Sequence, residues 1–144
     1  MKKGNVLKLF TKCCVLVMML LPFSVMHTQA QVKQEVGTAS YYADKFHGRK
    51  TASGEVFDNS AFTAAHNKLP LGTYVKVTNT RNQKWTIVKI TDRLHAANKR
   101  VLDLTQAAAK KLGFFHWGLA RVKVEVVSKE YATSLIDSQQ MAIN

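Results

Sequence analysis

Between Gly37 and Thr73 the chain crowds Tyr41, Tyr42, His47, Arg49, Glu55, Asp58 and His66 among four glycines, more polar and turn-forming groups than core packing requires. Carboxylates in such a segment can do acid and base work on a glycosidic bond, because one with a raised pKa holds a proton at neutral pH and passes it to the leaving oxygen. Glu55 and Asp58 are three apart, so a helical turn would place them on one face and an extended segment would point them apart. Either acid beside Gly54 could instead cap a turn. His66 ordinarily titrates near neutrality and could orient Asp58 or relay its proton, or be a hydrogen-bonded structural group. Tyr41 and Tyr42 offer aromatic faces to sugar rings, and strand alternation sends one of the two inward. His47, with Arg49 beside it, sits in a glycine-bearing loop and could contact glycan or only shape the loop. Farther on, Asp92-Arg93 follows an apolar run and would face a groove from a strand end, while Asp103 stands near a helix start, where acids are stabilised by backbone amides. A zinc site from His47, His66 and His95 lacks HxxxH or HxH spacing, so neither metal nor other cofactor is expected.

The elements that must position these groups read as mainly β. Val36 to Tyr42 predicts a strand leading into the polar segment, Thr73 to Thr80 alternates, Trp85 to Ile90 is β-branched on both faces, and Leu119 to Val127 alternates with Val122, Val124 and Val126 inward. Arg81-Asn82-Gln83 predicts the turn between the second and third. Thr105 is placed to cap a helix from Gln106 to Leu112 that ends at Gly113, and Ala61 to His66 reads as a further helical turn. Ser128 to Asn144 lacks periodicity and is expected to be a mobile or loosely docked tail. Short strands with one or two small helices suit a compact barrel.

Residues 1–30 read as a secretory leader. Lys2, Lys3, Lys8 and Lys12 form a basic start, Cys13 to Val25 is an apolar run, and Thr28-Gln29-Ala30 offers a cleavage site. The run is short of the roughly 20 residues that a membrane span needs, so no stable membrane anchor is expected. Cleavage would leave residues 31–127 as one domain ahead of the 128–144 tail. Both cysteines would depart with the leader, which excludes a disulfide and a cysteine nucleophile; they stand at the start of the apolar run, unlike a lipid-attachment cysteine. Without the four leader lysines, 17 basic residues face 9 acidic ones, a net charge of +8. Such a surface suits anionic polymers, and export points to the cell wall and away from nucleic acid.

The segments GTASYYADKFHGRKTASGEVFD (37–58), AFTAAHNKLPLGT (61–73), TDR (91–93) and VLDLTQAAAKKLG (101–113) resemble the RlpA-like, or rare lipoprotein A, family of bacterial cell-wall proteins. The resemblance spans most of the chain after residue 36. It implies a six-stranded double-psi β-barrel and lytic transglycosylase activity on peptidoglycan glycan strands, in which the muramoyl 6-hydroxyl attacks its own anomeric carbon and leaves a 1,6-anhydro end. It further implies a preference for strands lacking stem peptides. On that resemblance Asp58, His66, Glu55 and Asp92 are the expected catalytic residues, and Tyr41, Tyr42, His47, Arg49, Arg93 and Asp103 the expected substrate contacts. The chain departs from the family after Asp92-Arg93, where Leu94-His95 replaces Gly-Pro and removes both a permissive and a rigid residue. Two other readings stay open: an expansin-like wall-binding module without cleavage, and a two-carboxylate hydrolase.

Overall fold

The computed structural model describes residues 33–141, so the leader expected over 1–30 lies outside the described residues. Six strands close a barrel: β1 (Gln34–Tyr41), β2 (Thr63–Ala65), β3 (Tyr74–Asn79), β4 (Trp85–Asp92), β5 (Leu102–Leu104) and β6 (Ala120–Val127). Their order around it is β1-β5-β2-β4-β3-β6. Two neighbouring pairs, β1/β5 and β2/β4, are parallel and the other four are antiparallel. Closure leaves no strand edge unpaired, and the crossed parallel pairs make this the expected double-psi barrel.

The interior is aliphatic because alternation selects it. Leu102 and Leu104 are fully buried on either side of Asp103, and Ala39, Ala64 and Ile90, which stand in register with them, are also buried. Ser40, Asp103 and Ala65 are register neighbours on the other face, outside the barrel. Simple alternation along β4 after inward Ile90 would send Asp92 into the core. The register instead jumps from Ala64↔Ile90 to Ala65↔Asp92, a bulge at Thr91 that brings Asp92 onto the outer face beside Ala65. Polar Ser40, Asp103 and Asp92 thus line one outward row across four strands.

Thr105 caps the first helix, α1 (Gln106–Lys111), by accepting the Ala108 N–H at 3.4 Å, as its sequence predicts. Three expectations need correction. Ala61 to His66 contains strand β2 and not a helical turn, because pairing with β4 and β5 outweighs the local preference of two alanines. Asp103 lies at the centre of β5, so it does not serve the helix start. Lys129–Met141 is a helix, α2, lying against β3 and β4 with Ala132 fully buried, where a tail without periodicity, mobile or loosely docked, was expected. The Ser128 hydroxyl accepts the Tyr131 N–H at 3.1 Å and caps it.

The segment joining β1 to β2 packs over the outer polar row. Its hairpin is held by Gly48 N–H to Phe57 O at 2.9 Å and Phe57 N–H to Arg49 O at 2.7 Å, and turns through Gly54 at φ +86°. Ser53 N–H donates to Thr91 O at 3.0 Å, which lays the hairpin tip across the end of β4.

Candidate active site

Asp92 is the best-held of the expected acids. Its Oδ1 accepts the Ala52 and Arg93 N–H groups, each at 2.9 Å, and its Oδ2 accepts the Tyr42 hydroxyl at 2.8 Å. A carboxylate oxygen has two lone-pair sites. Both sites of Oδ1 are therefore taken, and one site of Oδ2 is left on a half-buried side chain. Tyr42 packs against Phe57 and Phe46, with ring centroids 4.6 and 5.7 Å away. Burial, then the hydrogen bond and charge of Asp92 and the charge of Asp103, push its phenol far above the ordinary value, so it stays a proton donor to Asp92. Tyr41 points the other way: it stacks on Phe115 at 4.8 Å and donates to Phe115 O at 2.9 Å, closing the end of the core. The two tyrosines thus divide as strand alternation predicts.

Asp103 supports this row from the next strands. It accepts the Ser40 hydroxyl on β1 and pairs with Arg100 at 3.2 Å. Glu55, on the hairpin, pairs with Lys89 of β4 at 2.6 Å, and this bond raises the Lys89 pKa. Lys89 and Asp92 share a strand, so Glu55 reaches β4 three residues before Asp92.

Asp58 and His66 are not brought together. Asp58 Oδ1 accepts the Ser60 N–H at 2.8 Å and the Ser60 hydroxyl at 2.6 Å, a turn closed by its own side chain. Those bonds hold its carboxyl below the usual value, with His47 Nδ1 3.8 Å away adding a smaller pull. His47 Nδ1 in turn accepts the Asn59 N–H at 3.2 Å, so this pair shapes the loop. Arg49 lies over the Phe46 ring at 5.4 Å.

His66 has a different partner, Glu35, to which sequence reasoning assigned nothing. Its Nδ1 accepts the Lys68 and Leu69 N–H groups, both at 3.0 Å, which leaves Nε2 to carry the proton and donate to Glu35 Oε2 at 3.2 Å. With both ring nitrogens engaged, the side chain cannot orient Asp58. The His66 N–H donates to Asp92 O at 3.1 Å, and its carbonyl accepts Arg93 Nη1 at 2.6 Å, so His66 flanks Asp92 through the backbone. A pocket of ≈ 250 Å³ opens beside it, lined by Glu35, His66, Lys68, Leu94, Lys99 and Arg100. Leu94, one of the two departures from the family pattern, is buried in its wall. No sequence signal pointed to Glu35, which lies 31 residues from His66. Among the described residues, no three His, Cys, Asp or Glu side chains gather to hold a metal.

Burial pushes the His66 pKa below its ordinary value near 6.5; Glu35 opposes the shift, and the charges of Lys68 and Arg93 assist it. A histidine whose folded pKa is the lower one binds fewer protons folded than unfolded between the two values, so stability rises with pH across that window. The contribution of His66 is therefore complete above about pH 6.5 and is lost as the pH falls below it. Glu35→Gln keeps an acceptor for Nε2–H but removes the opposing charge, which widens the window. Urea midpoints measured from about pH 7 down to about pH 5 should fall more steeply for Glu35→Gln than for the wild type, and equal slopes would contradict this account.

Comparison with known proteins agrees with this architecture. The model of the lytic transglycolase family matches residues 34–124. The endolytic peptidoglycan transglycosylase RlpA of Neisseria meningitidis is 44% identical over 110 residues, covering 76% of this chain and 46% of that protein. Its namesake from Pseudomonas aeruginosa is 54% identical over 96 residues, covering 67% of this chain and 28% of that protein. The chain thus spans less than half the length of these relatives. Among solved structures, an expansin of Clavibacter michiganensis superposes with a TM-score of 0.54 at 20% identity, over 67% of this chain and 52% of that one. A Streptomyces papain inhibitor gives 0.53 at 24% identity, over 67% and 96%. These two likenesses concern the fold alone. With the family model spanning the barrel from β1 into β6, the chain belongs to the lytic transglycolase family.

Proposed function

We propose that the chain is an exported peptidoglycan lytic transglycosylase that cleaves between MurNAc and GlcNAc, with Asp92 as its proton carrier. The observation that carries this reading is the single open lone-pair site on Asp92 Oδ2, on a carboxylate otherwise fixed by three donors. Three donors favour the ionised carboxylate, so the open site takes the proton of the muramoyl 6-hydroxyl as that oxygen attacks the anomeric carbon and passes it to the glycosidic oxygen as the C–O bond breaks; no water is consumed. One carboxylate that both gives and takes the proton suffices.

Other side chains have supporting roles in this proposal. Tyr42 positions Asp92, while the Glu55–Lys89 pair and His66 flank the reacting bond. Asp103 holds Ser40 and Arg100 under the same face, and Arg93 braces the His66 carbonyl. Asp58, His47 and Arg49 shape the base of the hairpin that packs over Asp92. The RlpA names of the relatives support peptidoglycan as the polymer. An expansin-like binding module is the second reading, favoured by the Leu94-His95 replacement immediately after Asp92-Arg93.

Incubation of purified protein with sacculi, intact or stripped of stem peptides, tests the chemistry. Soluble fragments should carry 1,6-anhydro ends, about 18 mass units lighter than the reducing ends that a hydrolase leaves, and stripped strands should yield more of them. Asp92→Asn should cut their release by about 10²-fold or more while far-UV circular dichroism stays unchanged. Reducing ends would replace the reading with hydrolysis. Sedimentation with sacculi and no release would leave the binding module.

Export rests on the basic start and apolar run of residues 1–30. The intact mass of protein recovered from the cell envelope or medium should correspond to a chain beginning near Gln31 with no thiol. A mass that retains the leader, or adds a diacylglycerol, would refute the assignment.

A further inference from the structure

A cleft of ≈ 570 Å³ opens where β3 ends and β6 begins, lined by Asn79, Arg81, Asn82, Trp117, Leu119 and Arg121 among others. Thr78 pairs with Trp85, so the cleft sits at the start of β4, whereas Asp92 stands at its end. At about 3.3 Å per residue the two are separated by roughly 23 Å along that strand. The reaction proposed above makes no use of the cleft.

Its surface is unusual for a protein exterior. Trp117 is 70% exposed and Leu119 is 53% exposed, although an indole is ordinarily well buried. The Arg81 guanidinium lies 5.3 Å over the indole ring. Arg121 lines the same cleft, and none of the described residues lining it is acidic. The turns that present these groups are braced. Asn79 Oδ1 accepts the Arg81 N–H at 3.0 Å, and the Asn79 and Asn82 side-chain amides both donate to Leu112 O at 3.0 Å. Trp117 and Gly118 N–H groups both donate to Phe114 O, at 2.9 and 3.2 Å, and Gly118 takes φ +75°. A backbone held this way loses little freedom when a ligand arrives.

We infer that this cleft is a second glycan-binding site, in which Trp117 stacks on a pyranose ring and Arg81 and Arg121 engage carboxylates carried by the same polymer. The C–H face of a sugar packs on an aromatic plane, and a guanidinium matches a carboxylate with two parallel hydrogen bonds. Two arginines without a neighbouring acid complement an anionic strand. The volume falls in the range of about 300–1,000 Å³ typical of ligand clefts, and a concave site accommodates a strand, whereas a bilayer surface is met by protruding groups. The inference takes its polymer from the proposed function but not the reaction. Its consequence is retention: a strand held here keeps Asp92 at high effective concentration near the wall.

Cosedimentation with purified sacculi tests it, using wild type, Trp117→Ala, Trp117→Phe and the Arg81→Ala/Arg121→Ala double variant, each checked by circular dichroism. Flotation with phosphatidylglycerol vesicles runs in parallel, as does release of anhydro ends from glycan fragments too short to span both sites. Trp117→Ala and the arginine pair should each weaken sacculus binding by about fivefold or more, Trp117→Phe should retain most of it, and release from short fragments should be unchanged. Sacculus binding that survives both changes overturns the inference, and so does loss of vesicle binding in its place. A wild-type protein that releases no anhydro ends, yet loses sacculus binding on Trp117→Ala, keeps this site and forfeits the proposed reaction.

Discussion

The carboxylate of Asp92 joins three parts of the chain that barrel pairing alone would leave unconnected. Tyr42 comes from the end of β1, Ala52 from the hairpin and Arg93 from the loop after β4, and all three donate to the same side chain. The Tyr42 phenol is the half-buried donor of the three, so losing the acceptor would cost most there, whereas the exposed Ala52 and Arg93 N–H groups can turn to water. The clasp exists only because the bulge at Thr91 turns Asp92 outward. A regular β4 would bury the charge in an aliphatic interior, which is far costlier than a bulge.

Long strands were legible in the sequence and short ones were not, and the 13-residue α2 was missed because it shows no strong apolar periodicity. β3, β4 and β6 run six to eight residues, enough for alternation or β-branched density to register, and Thr105 announced α1 through its cap. β2 and β5 have three residues each, and three residues carry no periodicity; only pairing with distant strands defines them. Reading Ala61 to His66 as helical followed from the alanines, whose role is instead to let β2 pack closely between β4 and β5.

The candidate site divides along similar lines. Residue types drew attention to Tyr42, Glu55, His66, Asp92 and Asp103 one by one, but partners lie across the fold: Asp92 is 50 residues from Tyr42, and Asp103 is 63 from Ser40. The ordinary titration range of histidine suggested a role beside Asp58 for His66, whereas β1 delivers Glu35 to it. The local alternative held for Asp58, whose serine two residues on closes an Asx turn. Among the expected residues, Asp92 alone joins the hairpin, β1 and the loop after β4, which is why the proposed reaction centres there.

A double-mutant cycle on Tyr42 and Asp92, read as the rate of anhydro-end release with folding checked in parallel, tests most directly whether Tyr42 acts by positioning that carboxylate. On this account Tyr42→Phe lowers kcat by about tenfold in the wild-type background and changes nothing further once Asp92 is Asn. Equal losses in both backgrounds would contradict it, because the phenol would then act independently of Asp92.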